Sequence, residues 1–569
     1  MIPSGVEVFV GLTPIDLRWG FDRLAGVVQE RLGRMPRGGA LFLFYGKRRT
    51  ALKILFFDGS GMCLFYKRLD RGTFRVPQAL DAEATSVALS ERELDALVAP
   101  ALLSMVVLLQ AYTKASDAEA VELSVVDARW QMVLDVAGDD EPPFSQGALQ
   151  AFRQRLIAHD MDRRLLERTV ELAKQTGIFD WKKLPKDLRL AIDSRPIEGV
   201  GRVEDTFNLL AHAARQLIVC TARVLQRPVD EVADEAGAPL LVQSSIKRAL
   251  DIEWSDPEQK ASAIVTLVEQ LDRLQAWIER NLAEKAALPP IAEHVETLRQ
   301  LREQDLEPDP DGGGKPRIRR GVAEDRRVSV TDSQMRHGRK SKSKRFNGFK
   351  GHIAADLDLG LVIACAITPA NRPEAEAAPD IHRDIACYPT RNAIAELYID
   401  RGYIGSAVVS SVLERGGEVL CKPWVARNGK RFAKGAFKID MRAQTITCPA
   451  GEVECFTPGE VVEFDPDACS RCSLRSQCTM ASGGSGRTVN IAADELLQHR
   501  LRKLIATPRG RARLRERVPV EHRLAHIARK QGPRARYRGT RSNLFDLRRH
   551  AAVVNLEALH RLHDVANAA

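Results

Sequence analysis

Two short apolar, β-prone runs, Leu188–Ile192 and Ile394–Ile399, each lead directly into an aspartate, Asp193 and Asp400. Nothing else in the chain narrows its possible folds as much. Runs of this length and composition read as buried strands. The turn-prone Ser194-Arg195-Pro196 and Arg401-Gly402 that follow predict that each strand stops at its acid. If the strands are neighbours, both carboxylates leave the same end of one sheet, where α/β folds place their sites. A third acid, Glu521, stands two residues after Pro519. Proline favours the first helical position, so Glu521 falls in a first turn, near the positive end of the helix dipole.

Brought together, the three carboxylates would repel and titrate as a coupled set. A hard divalent cation relieves that repulsion and prefers oxygen ligands. Two such ions, about 3.5–4 Å apart, serve the in-line displacement at a phosphodiester. Taken singly, each acid reads more plainly as an ordinary strand-end residue or a first-turn acid stabilising its helix. Asp332, between the β-like run Arg327–Val330 and the basic stretch Arg336–Lys350, competes with Glu521 for third place.

At 569 residues the chain is long enough for about three to four domains. Its longest apolar stretch, Ala101 to Leu109, falls far short of the roughly 20 residues a membrane helix needs. No basic segment leads into an apolar core at the start, so a cytoplasmic protein is expected. The net charge is +10, but Arg500–Arg549 alone holds 17 Lys and Arg against three acids. Charge concentrated in this way suits a phosphate backbone; a solvated charged face is the ordinary alternative, but the acid carried inside the run and the two partner acids upstream favour the phosphate reading. Arg336, Arg339, Lys340, Lys344 and Lys350 form a second basic stretch. Lys47-Arg48-Arg49 and Lys67-Arg68 read either as nucleic-acid contacts or as solvated loop ends.

Five of the ten cysteines lie between Cys448 and Cys478. Cys448, Cys469, Cys472 and Cys478, with a Cys-x2-Cys pair at the centre, have the character of a structural zinc site, with Cys455 as a spare. Few apolar residues surround them, so a metal is expected to supply the centre of this segment. Four thiolates would leave no open catalytic position.

Short β-like runs at Val6–Val10, Leu41–Tyr45, Leu52–Phe57 and Met62–Tyr66, with helical spacing over Ile15–Leu32, predict a small α+β module at 1–97. The turn residues Asp58-Gly59-Ser60-Gly61 mark a hairpin between the last two runs. Helices are expected at Leu102–Tyr112, Asp117–Met132 and Gly147–Lys174, the last capped by Ser145, giving a helical domain at 98–180. From 181 to 569 the pattern is a mixed α/β domain with a helical insertion at 206–315 and a cysteine-rich insertion at 405–490.

Several motifs give these elements a common source. They are Asp193-Ser194-Arg195-Pro196-Ile197-Glu198-Gly199 with Asp205-Thr206-Phe207-Asn208-Leu209, the block Gly321–His352, Asp400-Arg401-Gly402-Tyr403, and Arg517-x3-Glu521 followed by Tyr537-Arg538-Gly539. On these residues the chain from about 101 onward resembles the DDE transposases of bacterial insertion sequences. The resemblance implies an RNase H-like catalytic core and a triad, Asp193, Asp400 and Glu521, that holds two Mg²⁺ or Mn²⁺ ions. It implies phosphate contacts from Arg517, Arg529 and Lys530, double-stranded DNA as partner, a homo-oligomer on that DNA, and nucleoid association. The related Tyr-x2-Arg-x3-Glu-x6-Lys signature would put Tyr at Leu514 and Lys at Ala528. Residues 1–97 resemble the TnpB-type accessory protein of another insertion element, through Asp16-Leu17-Arg18-Trp19-Gly20-Phe21-Asp22 and Gly61-Met62-Cys63-Leu64-Phe65. A fused reading frame is therefore expected, either an active transposase or an inactive DNA-binding relic.

Overall fold

The computed structural model describes residues 7–57, 61–68, 74, 85–89, 100–310, 313–341, 343–388, 393–482 and 484–568. The expected start of the first strand at Val6, the hairpin residues Asp58–Ser60 and the 97/98 boundary lie outside the described residues. The chain divides into two compact units, Met1–Leu165 and Leu166–Ala569.

In the first unit β1 (Val8–Gly11), β2 (Leu41–Tyr45), β3 (Ala51–Phe57), β4 (Met62–Arg68) and β5 (Ser86–Leu89) form a sheet in the order β4-β3-β2-β1-β5. Alternation along β2 sends Leu41, Leu43 and Tyr45 into one cluster and Phe42 and Phe44 into another. The second cluster includes Leu24 and Val28 of the helix Phe21–Glu30, shorter than its apolar spacing predicts. The helix expected over Asp117–Met132 is two, Asp117–Val126 and Ala128–Leu134. Asp127 separates them, because its carboxylate caps the second by accepting from the N–H groups of Arg129 and Trp130. The helix capped by Ser145 ends at Ala158, and left-handed Asp160 (φ 52°) precedes a new helix, Arg163–Gln175.

The second unit is built on β6 (Leu188–Glu198), with the β7 (Leu306–Pro308) and β8 (Pro316–Ile318) hairpin apart from it. β9 (Arg336–Arg339), β10 (Arg345–Asp356), β11 (Leu361–Pro369), β12 (Ile394–Tyr398) and β13 (Glu418–Leu420) complete the main sheet, in the order β11-β10-β6-β12-β13 with β9 on β10. β6, β10 and β11 run antiparallel, while β12 and β13 run parallel to β6. This mixed α/β arrangement is consistent with an RNase H-like core.

β6 does not stop at its acid. It continues to Glu198, paired with β10 from Leu190↔Asp356 to Glu198↔Gly348. β12 leaves after the pair Tyr398↔Ala191, so Pro196 is accommodated as in an edge strand. The segment Arg327–Val330 is not a strand and makes only an isolated bridge, Arg327↔Arg336. The Arg327 guanidinium donates to the carbonyls of Ser329 and Val330, which bends the segment on itself.

Alternation gives the sheet two distinct faces. Leu188, Leu190, Ile192, Leu397 and Ile399 pack with Ile381 and Ile385 of helix Ala378–Ala386 and Val408, Val409 and Val412 of helix Ala407–Glu414. Ala191, Ile353 and Tyr398 pack with Val520, Leu524 and Ile527 of helix Val518–Gln531, and with Leu547 and Ala551 of helix Thr540–Ala568.

Both insertions carry cores of their own. Helices between Thr206 and Asp305 surround one cluster that includes Leu210, Leu267 and Leu274. In the cysteine-bearing segment, β14 (Lys438–Asp440), β15 (Thr445–Thr447), β16 (Val453–Cys455), β17 (Val461–Glu463) and β18 (Thr488–Asn490) surround Phe437, Ile446, Phe456, Val462, Phe464, Val489 and Ile491. The expectation that only a metal could centre this segment is thus corrected: these seven aromatic and branched residues are buried together, although Val453 and Val461 stay exposed. Helix Ala407–Glu414 and β13, counted with the insertion from sequence, belong to the main sheet. Among the described residues no helix is long and apolar enough to cross a membrane.

Candidate functional site

The parallel register of β6 and β12 fixes two of the three acids. The last pair is Tyr398↔Ala191, and two residues further along each chain stand Asp400 and Asp193. Asp193 shares its face of β6 with Arg189 and Ala191, the face covered by helix Val518–Gln531. Arg517 is the N-cap of that helix and Glu521 lies in its first turn.

One guanidinium gathers all three acids. Arg517 Nη2 lies 3.0 Å from Asp193 Oδ1 and 3.6 Å from Glu521 Oε1, and Nη1 lies 2.7 Å from Asp400 Oδ1. Positions 193, 400 and 521 are therefore brought to one point. The side chains of Asp193 and Arg517 are 14% and 15% exposed, against 58% for Asp400 and 52% for Glu521, so the site opens on the side of the latter two. Burial pushes the Asp193 carboxyl above the ordinary aspartate range, with the Arg517 charge opposing. Burial works against the Arg517 charge, but Asp193 and Asp400 outweigh it and raise its affinity for its proton.

Asp332, the competitor for third acid, is buried elsewhere, accepting from the backbone N–H groups of Gly539 and Gln334, each at 3.3 Å.

Ser194, one residue on, faces the opposite side of the sheet. Its hydroxyl donates to Glu374 Oε1 at 2.6 Å. On the same side Tyr403 Oη lies 2.6 Å from Nδ1 of His352, whose Nε2 is 2.9 Å from Thr368 Oγ1. His352 is fully buried, which drives its pKa down to about 3, with Lys350 adding to the effect. The imidazole is therefore neutral. Composition and spacing did not single out Glu374 or His352; only the pairing of β6 with β10 and the fold of β11 bring them here.

The basic residues separate by environment. Arg339, Lys340, Lys344 and Arg529 are exposed. Arg336 is buried, with its guanidinium on Asp325 and on the carbonyls of Ser333 and Met335. Lys350 donates to the Arg372 carbonyl at 2.7 Å, and Lys530 pairs with Glu557 at 2.6 Å.

Cys448, Cys469, Cys472 and Cys478 line a single cavity of about 370 Å³. All four are free thiols, and Cys455 is exposed outside that lining. Burial, with the thiols of Cys469, Cys448 and Cys472 nearby, raises the Cys478 pKa against the charge of Arg487. Among the described residues no group of three or more His, Cys, Asp or Glu side chains stands ready to hold a metal ion. At the acidic site the reason is visible, since a guanidinium lies between the carboxylates.

Residues 6–105 match the family described as IS66 Orf2 like protein, and residues 453–560 match the family described as Transposase DDE domain. Two proteins of Sinorhizobium fredii (strain NBRC 101917 / NGR234) are similar over the N-terminal part. The uncharacterized protein y4hO is 44% identical over 100 residues, 17% of this chain and 84% of its own length. The uncharacterized protein y4jC is 35% identical over 95 residues, 17% of this chain and 79% of its own. No solved structure matches the chain.

Proposed function

We propose, for a chain that belongs to the IS66 Orf2-like family at its N-terminus and carries a transposase DDE domain at its C-terminus, a mobile-element protein acting on double-stranded DNA. Its strongest form is a strand-transfer enzyme in which Asp193, Asp400 and Glu521 are the metal-binding triad. The carrying observation is their convergence on Arg517. A guanidinium held by three carboxylates marks a place built for positive charge, and oxygen donors are what Mg²⁺ and Mn²⁺ take. When bound there, a pair of such ions neutralises charge on the attacking and leaving oxygens of a phosphodiester. Asp193 would be the buried ligand, with Asp400 and Glu521 on the solvent side. The exposed Arg339, Lys340, Lys344 and Arg529 would meet backbone phosphates, which position DNA without reading its sequence.

The second reading is a DNA-binding relic of a fused reading frame, and two observations favour it. The DDE match spans 453–560, taking in Glu521 but neither aspartate. Arg517 also fills the space that cations would need. Labelled duplex carrying the element ends, purified protein and Mn²⁺, run beside Asp193→Asn, separate the two. Joined products lost in the variant support strand transfer. Equal binding by both proteins with no joining supports the relic.

Four thiols around one cavity also suit a structural zinc ion, the donor set zinc prefers. Such an ion would brace the segment Phe437–Ile491 and leave no position for chemistry.

A further inference from the structure

The residue before Arg517 makes contacts of opposite charge. The Glu516 carboxylate accepts from the Arg189 guanidinium and, at 3.0 Å, from the Tyr398 hydroxyl. Arg189 lies four residues before Asp193 on β6, and Tyr398 two before Asp400. One residue from each segment that supplies an acid therefore meets in a second polar cluster, on the same face of the sheet. The cluster is heavily braced. Arg189 also donates to Glu396 at 3.0 Å and Asp358 at 3.2 Å, and the single Tyr398 hydroxyl proton is shared between Glu516 and Glu396, the latter at 2.6 Å. Arg513, from the preceding helix Pro508–Arg515, bonds Glu396 and Glu418, each at 2.9 Å. At its far end, helix Val518–Gln531 is tied back to β6, where Arg195 donates to the Gly532 carbonyl at 3.1 Å and the Glu198 N–H to that of Pro533 at 2.9 Å.

We propose that Glu516, gripped by Arg189 and Tyr398, is the positioning residue that keeps Glu521 above Asp193 and Asp400 once Arg517 releases the acids. This rests on the strand-transfer reading, because a cation can enter the triad only if the guanidinium leaves. With Arg517 gone from the carboxylates, the start of the helix loses its polar tie to Asp193 and Asp400. Glu516 supplies a separate tie, and its partners are not the metal ligands. It can therefore stay engaged in both states. A charge-assisted contact of this kind is worth about a tenfold change in an equilibrium.

The test uses the full chain and Mn²⁺ alone, with site-specific binding defined as the part lost in Asp193→Asn. Glu516→Gln should weaken that binding about tenfold, and Tyr398→Phe less. Glu516 is partly exposed and Tyr398→Phe keeps the buried ring, so these variants are expected to fold. Unchanged Asp193-dependent binding in Glu516→Gln overturns the proposal. If wild-type protein shows no Asp193-dependent binding, the strand-transfer reading itself fails. Hydrogen exchange without metal still judges the positioning role. In the Arg517→Met background, Glu516→Gln should speed exchange across 518–524, while residues 528–535 stay protected by their ties to β6. No change there overturns the positioning role as well.

Discussion

Gly402 is pressed against Glu374: a Cβ at position 402 would stand 2.1 Å from Glu374 Oε2. Glu374 in turn accepts from Ser194, so one carboxylate touches the residue after Asp193 and the turn after Asp400. The obstructing atom is the end of a flexible side chain. Gly402→Ala should therefore displace Glu374 from Ser194 at about 1 kcal/mol, read as a shift in urea midpoint. Gly348→Ala should cost about 3 kcal/mol or more, since φ there is +153° and the obstacle is the Ile197 carbonyl at 2.2 Å.

His352 makes stability depend on pH in a definite direction. In the unfolded chain a histidine titrates near 6.5, whereas buried His352 holds no proton until about pH 3. Above 6.5 neither state is charged and the full stability is present. As pH falls through the window from 6.5 to 3, the unfolded chain takes up a proton that the folded one refuses, and stability drops. Between pH 6.5 and 5 this loss is about 2 kcal/mol. His352→Gln should flatten the slope over that range. His550, lowered to about 4 by burial against the opposing charge of Asp546, leaves a residual slope of the same sign.

Arg548 and Asp384 form an ion pair at 2.6 Å with side chains 2% and 1% exposed. Arg548→Met takes the guanidinium away from a buried carboxylate that keeps the Cys365 N–H, and should cost about 3 kcal/mol in chemical denaturation. Adding Asp384→Leu should recover much of the loss, because the stranded charge is then gone.

Salt dependence should sort the basic residues. Arg339→Ala or Lys344→Ala should each lower the slope of log affinity for duplex DNA against log salt by about 0.9. Arg336→Ala should leave the slope unchanged and instead lower the melting temperature, since its guanidinium holds Asp325 and two carbonyls inside the fold.

Elemental analysis should find about one zinc per chain, as four thiols suit one tetrahedral ion. Cys472→Ser should remove it, while Cys455→Ser should retain it. Chelation should lower the melting temperature of wild type and leave that of Cys472→Ser unmoved.

Much of this architecture was legible from periodicity. The apolar runs at 188–192, 361–367 and 394–399 are strands, and Pro519 sets the helix that carries Glu521. What could not be read was pairing. Ser194-Arg195-Pro196 has turn chemistry, yet β10 holds it straight for five residues past Asp193. Arg327–Val330 has strand composition, yet its own arginine folds it back. The clamp on the three acids was only half legible. Arg517 stood out four residues before Glu521, but its contacts to Asp193 and Asp400 depend on where the helix docks. Glu374, His352, Arg189 and Glu516 left no mark in the sequence, because each acquires its partner from 51 to more than 300 positions away.

The alternation along β6 and β12 makes this site a matter of odd and even. Arg189, Asp193, Tyr398 and Asp400 face the helix of Glu521 because two residues, or four, separate them within each strand. The chain takes up about a hundred residues between Glu198 and Asp305, with a core of their own, and still delivers its acids to one point. A single residue added between Arg189 and Asp193 would turn one of them to the wrong face. Tolerance to length here is set by parity rather than by size: generous outside the strands, and nil within them.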